Sequence, residues 1–200
     1  MKILFCKTAH MRYYKGVKEF NDKPYNGGAF VAENGYGGEE YNFKVFDVNG
    51  NKKCLGFVET KSTNGRDMNQ LHIEKISGCE KNDPKEENVL VVWCATADTN
   101  ESVIVGWYKN ATVYRSVQYD EVNEREYNVA ANAEDCVLLP DNGTRRMLKW
   151  RAATAKRMKT YGFGQSLVWY PNQKEAENYL NELLKNIDDF DSENWLNYPE

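Results

Sequence analysis

Over the first two-thirds of the chain the apolar positions either alternate with polar ones or run unbroken. A helical period emerges only towards the end. Residues 2–6 form a short apolar run. Residues 41–46 alternate, with Tyr41, Phe43 and Val45 set against Asn42 and Lys44, as a half-buried strand should. Residues 53–59 and 70–76 read the same way, the second through Leu71, Ile73 and Ile76. Residues 89–97 are continuously apolar and are expected at the centre of a sheet. Residues 102–108 and 111–117 are β-branched and aromatic, and the intervening Lys109-Asn110 predicts a hairpin turn. Residues 127–131 and 136–139 are shorter strand candidates.

From residue 173 to 187 the spacing of Ala176, Tyr179, Leu180, Leu183, Leu184 and Ile187 predicts an amphipathic helix. Asn172, after Pro171, is its expected N-cap, with Glu175 completing a capping box. A second helix is expected over 145–159 from a weaker stripe of Met147, Leu148, Arg151, Ala152, Ala155 and Met158. Residues 21–38 are irregular, and their glycines are spaced too unevenly for a phosphate-binding fingerprint. Regular β-α alternation is absent. The pattern predicts an α+β fold: a mixed or mostly antiparallel sheet, a few helices, and a C-terminal amphipathic helix. Residues 1–171 are expected to form one domain, with 172–200 supplying that helix and an acidic tail packed on it.

A chain of 200 residues with 13% aromatics can bury a core and is not a disordered one. No apolar run approaches the roughly 20 residues of a membrane span, and no signal-peptide core is present. A cytoplasmic protein with no membrane association is expected. Five well-separated cysteines (Cys6, Cys54, Cys79, Cys94, Cys136) and two histidines read as reduced thiols without a structural zinc site. The net charge of -4 is unevenly spread. Residues 172–200 hold eight acids against Lys174 and Lys185, a net -6, leaving +2 for the rest. Residues 144–159 carry seven cations and no acid. A polyanionic partner is therefore compatible with the acidic total.

Three constellations could carry chemistry. Trp107, Tyr108, Asn110 and Tyr114 in the central strand pair, with Gln165, Ser166 and Trp169 later, combine stacking faces with base-edge donors and acceptors. A flipped or unpaired base could be held this way. Arg115, Arg145, Arg146, Arg151 and Arg157 are the expected phosphate contacts, the basic segment alternatively pairing with the acidic tail. Asp47, Glu59 and Lys61 form a loose D-x11-E-x-K pattern, in which two carboxylates hold Mg²⁺ and the lysine positions water. Cys6 and His10 could form a dyad only if their loop folds back, and a buried strand cysteine is the simpler reading; His10, Arg12, Tyr13, Tyr14 and Lys15 alternatively make a ligand-facing loop. No motif for an organic cofactor is present.

Residues 1–16, the two segments VLVVWCAT and VIVGWYKNATVYR, and the later LLP and GFGQSLVWYP resemble an uncharacterised bacterial and phage domain also found N-terminal to HNH endonucleases. The resemblance covers about residues 1–171; no H-N-H pattern follows Pro171, so it implies the recognition module standing alone. The order of short strand, polar-aromatic loop and central pair is also similar to PUA-like modified-base readers of the EVE and YTH kind, which implies a barrel-like sheet. The leading expectation is a non-enzymatic module that binds DNA or RNA, with modified bases as a ligand class, linked to restriction or phage defence. The alternatives are a Mg²⁺-dependent nuclease using Asp47, Glu59 and Lys61, and a protein-interaction module with a partner such as a nuclease subunit.

Overall fold

The computed structural model describes residues 2–17, 21–25, 37–60, 70–76, 78–154 and 160–198. The fold is α+β, a mixed sheet of eight strands with one α-helix among the described residues, near the C-terminus. The strands are β1 (Ile3–Lys7), β2 (Val45–Val48), β3 (Asn51–Gly56), β4 (Lys85–Thr96), β5 (Ser102–Asp120), β6 (Arg125–Asn132), β7 (Cys136–Leu138) and β8 (Val168–Trp169). Their order is β2-β3-β6-β5-β4-β1-β8, with β7 also on β5. Only β1 and β4 are parallel. The sheet is open, not a closed barrel, and β2 and β8 are its edges. β4 lies inside the sheet, as its unbroken apolar run predicts.

The sheet buries both faces. Leu4, Cys6, Trp93, Val105 and Tyr108 point to one core, joined by Phe43, Leu71, Ile73, Trp195 and Leu196. Ile3, Phe5, Val92, Cys94, Ile104 and Trp107 point to the other, covered by Trp150 and by helix α1 (Glu177–Asp188) through Leu183 and Ile187. Burying those two aliphatic side chains contributes about 3–6 kcal/mol. The segment after residue 171 thus packs into both cores. The helix begins with a 3-10 turn, Lys174–Ala176, capped from Gln173 without a side-chain bond, so the expected Asn172 capping box does not form.

Four expectations differ. The predicted hairpin at Lys109-Asn110 is one continuous 19-residue strand, β5. Asn110 takes a left-handed φ of 50°, and Asn88, on the other side of the Val89–Ala111 pair, takes 57°. Each inserts an extra residue on its own strand, and the β4–β5 ladder continues past both. A two-residue hairpin turn falls instead between β2 and β3, at Asn49-Gly50 with φ of 53° and 79°, where Asp47 accepts a 2.8 Å bond from the Gly50 N–H. Residues 70–76 contain a 3-10 turn, Ile73–Lys75, not a strand. Residues 38–41 are also a 3-10 turn, and β2 starts only at Val45.

Where the second predicted helix begins, the chain forms two 3-10 turns, Thr144–Arg146 and Leu148–Trp150, broken at an extended Met147. Arg145 and Trp150 are both buried. Five residues apart, they would lie about 140° apart on a helix and could not both face inward. The remaining basic positions Lys156, Arg157 and Lys159 lie outside the described residues.

Candidate functional site

Strand parity decides where the predicted base-binding residues go. Trp107 and Tyr108 are adjacent on β5 and therefore lie on opposite faces of the sheet. Trp107 is buried against Trp150 (5.3 Å, stacked) and Phe190 (5.2 Å, edge-on). Tyr108 is buried between Trp93 and Phe43. Gly106 lets this region close up, because a Cβ there would sit 2.2 Å from the Val137 carbonyl oxygen and 2.7 Å from the Phe43 ring. Asn110 is exposed and donates to Asp135 at 3.0 Å. Tyr114 meets Tyr127 edge-on. Trp169 is buried beside Phe5, its indole N–H on the Gln173 side chain at 3.1 Å. Gln165 and Ser166 are exposed. Trp107, Asn110 and Gln165 do not line one pocket, so the predicted base pocket does not exist in that form.

The arginines are corrected in the same way. Arg145 is 1% exposed. Its Nε donates to the Leu139 carbonyl (2.8 Å), Nη1 to that of Met11 (2.6 Å) and Nη2 to that of Arg12 (2.8 Å). Asp22 takes the opposite role, accepting from the N–H groups of Arg12 (2.6 Å), Tyr13 (2.6 Å) and Tyr14 (2.9 Å). One loop, residues 11–14, thus has its acceptors on a buried guanidinium and its donors on a buried carboxylate. Arg115 is likewise structural, bridging Glu74 and the carbonyls of Asp83 and Glu80. That contact holds the Glu74 carboxyl down to about 2. Arg146 pairs with Asp98 (3.0 Å) and Arg151 with Glu101 (2.8 Å), both acids of the β4–β5 turn and not of the tail. Arg157 lies outside the described residues.

The nuclease pattern is also split. Asp47 sits opposite Lys52, at the turn end of the β2–β3 hairpin, and its carboxylate serves that turn. From Lys52 to Gly56 the strand already covers about 13 Å, and Glu59 lies three residues further on. The two carboxylates cannot share one metal. Lys61 lies outside the described residues. Among the described residues no cluster of three or more potential metal ligands occurs. The Cys6 thiol is buried in the sheet, and burial pushes it up. His10 is lowered, first by burial and then by Arg145.

Glu59 and Ser166 nevertheless come together. A cavity of about 240 Å³ opens where β3 and β8 end. Its floor is apolar, made by Leu71, Leu167, Val168 and Tyr170. Tyr170 is locked by the His72 N–H, which donates to its hydroxyl at 2.9 Å. Glu59, Thr60, Gln70 and Ser166 form a polar rim. The Glu59 carboxylate makes no ion pair with a described residue, and it helps raise the Glu39 carboxyl behind burial, the main cause. Gln70 donates to Ser116 at 3.1 Å, leaving its carbonyl oxygen free to accept. Ser166 Oγ accepts from the Val168 N–H at 3.2 Å, leaving its proton to donate. Lys75 stands over the Tyr170 ring at 5.6 Å.

Comparison with family models, curated proteins and solved structures finds no match. The site therefore rests on its own geometry. Gln70 and His72 carry no site signal in the sequence, because the pattern over residues 70–76 reads as a strand. The spacing of the neighbouring apolar triplet Leu71, Ile73 and Ile76 suits a tight turn as well as a strand. Among the described residues no helix is long and apolar enough to cross a membrane.

Proposed function

We propose that this domain is a nucleic-acid reader that receives one unstacked base in the cavity between Glu59 and Ser166. The observation that carries this reading is the division of that cavity into an apolar floor and a polar rim. A flat heterocycle needs the first for its face and the second for its edge. The rim is acceptor-rich. Glu59 and the Gln70 carbonyl match a base edge that donates, such as the exocyclic amino group of cytosine or adenine. Ser166 supplies the complementary donor. Lys75, over the Tyr170 ring, adds a positive charge near this floor residue for the strand that delivers the base.

The test is fluorescence anisotropy with short single- and double-stranded DNA and RNA, with and without base modification, at low salt. Ser166→Ala and Glu59→Gln are each expected to weaken binding about tenfold, in the range of one good base-edge contact. Trp107→Phe, which changes a buried ring, is expected to leave affinity unchanged. Absence of binding to every probe, or wild-type affinity in both rim variants, refutes the reading.

A further inference from the structure

A second concavity lies on the other face of the sheet, where β1 and β4 end and β5 begins. By strand parity Lys7 follows Phe5, Thr96 follows Cys94, and Ser102 precedes Ile104, and all three partners belong to the core under α1. Three neighbouring strands, β1, β4 and β5, therefore present an ammonium and two hydroxyls side by side at one end. The chain then crosses over them. Ala152 donates its N–H to the Ser102 carbonyl at 3.0 Å, and Thr154 bridges to Phe163. The result is a cavity of about 360 Å³, to which Asn100 adds an amide, Thr154 a third hydroxyl, and Phe163 an aromatic wall.

The charge balance of this cavity is one-sided. Among the described residues no carboxylate lines it. Glu101, in the adjoining turn, is held by Arg151 at 2.8 Å. Lys7 is half-buried and makes no ion pair with any described residue. A partly desolvated ammonium without a counter-charge is costly unless an anion supplies one. The ring of hydroxyl and amide groups offers hydrogen bonds from several directions, which suits a tetrahedral oxyanion better than a planar carboxylate. Lysine as a point charge is a common partner for such a group.

We infer that this cavity binds a phosphate group, with Lys7 as its counter-ion and Ser102, Asn100 and Thr154 as its hydrogen-bonding ring. The site is separate from the base cavity, so either can fail alone. The phosphate could be that of a small phosphomonoester or the end of a nucleic-acid strand; the chemistry recognised is the same.

The test measures thermal shift and calorimetric affinity with inorganic phosphate against sodium chloride at equal ionic strength. Wild-type protein should respond to phosphate. Lys7→Met should weaken that response at least tenfold, consistent with loss of a charge-assisted bond, and Lys7→Arg should restore most of it. Should Lys7→Met fail to fold, Ser102→Ala should weaken phosphate by about threefold to fivefold. Oligonucleotides with and without a 5′-phosphate identify the source. A preference for the phosphorylated strand that Lys7→Met abolishes supports a strand end, whereas phosphate binding without that preference supports a small phosphomonoester. No phosphate response beyond chloride in the wild type, or undiminished affinity in both the Lys7 and Ser102 variants, overturns the inference.

Discussion

Replacing Arg145 by alanine separates two roles that the sequence leaves open. As a phosphate contact Arg145 would be dispensable for folding, and its removal would flatten the salt dependence of nucleic-acid binding by about one phosphate. The structure assigns it three hydrogen bonds to backbone carbonyls, at 2.8, 2.6 and 2.8 Å. Bonds to a charged donor are worth about 1.5–3 kcal/mol each. Their sum is reduced by the desolvation of a buried guanidinium that alanine no longer suffers. Removing the donor leaves three carbonyls short of a partner, at about 1–3 kcal/mol each, so a net loss of about 3–5 kcal/mol is expected. That is a large share of the roughly 5–15 kcal/mol that holds a typical domain together. The assay is urea unfolding, followed by the five tryptophans. A lowered midpoint at unchanged m-value is expected for Arg145→Ala, and a smaller loss for Arg145→Lys, which keeps the charge but not the fork. A loss below about 1 kcal/mol, with a reduced salt slope for nucleic acid, would refute the structural assignment.

Three further outcomes are expected. The Glu74 carboxyl, lowered to about 2 by Arg115, contributes stability that is fully present above the unfolded value of about 4.3 and is lost as pH falls towards 2. The urea midpoint should therefore drop more steeply between pH 5 and 3 in the wild type than in Glu74→Gln, and equal slopes would contradict the pairing. Truncation after residue 171 removes the buried Ala176, Leu183, Ile187, Trp195 and Leu196, so circular dichroism should show loss of the cooperative fold and not a folded domain with stronger nucleic-acid binding. Asn110→Val should cost about 1–2 kcal/mol in chemical denaturation because a β-branched residue resists its φ of 50°, whereas Asn110→Gly should be close to neutral.

The parts of the fold legible in the sequence are those where burial repeats with a local period. β4 is continuously apolar because both of its faces are covered, and α1 shows its stripe because one face is. The opposite sites of Trp107 and Tyr108 were legible too, since adjacent strand residues cannot share a face. So was the β2–β3 turn, because Asn49-Gly50 is the stronger hairpin signal and Lys109-Asn110 the weaker. What a single sequence cannot distinguish is a guanidinium in solvent from one closed over by distant carbonyls. Arg145 finds its partners at Met11 and Arg12, separated from it by 134 and 133 residues. Charge density over residues 144–159 therefore overstates the exposed positive surface, as one of its described arginines is buried and two are paired. A cavity cation with no ion pair to a described residue lies instead at the end of β1, where Lys7 ends an apolar run and attracts no notice as an isolated charge. Its meaning comes from the strands beside it. Parity on β1, β4 and β5 brings Lys7, Thr96 and Ser102 onto one face, and only the pairing of those strands turns three scattered residues into a site.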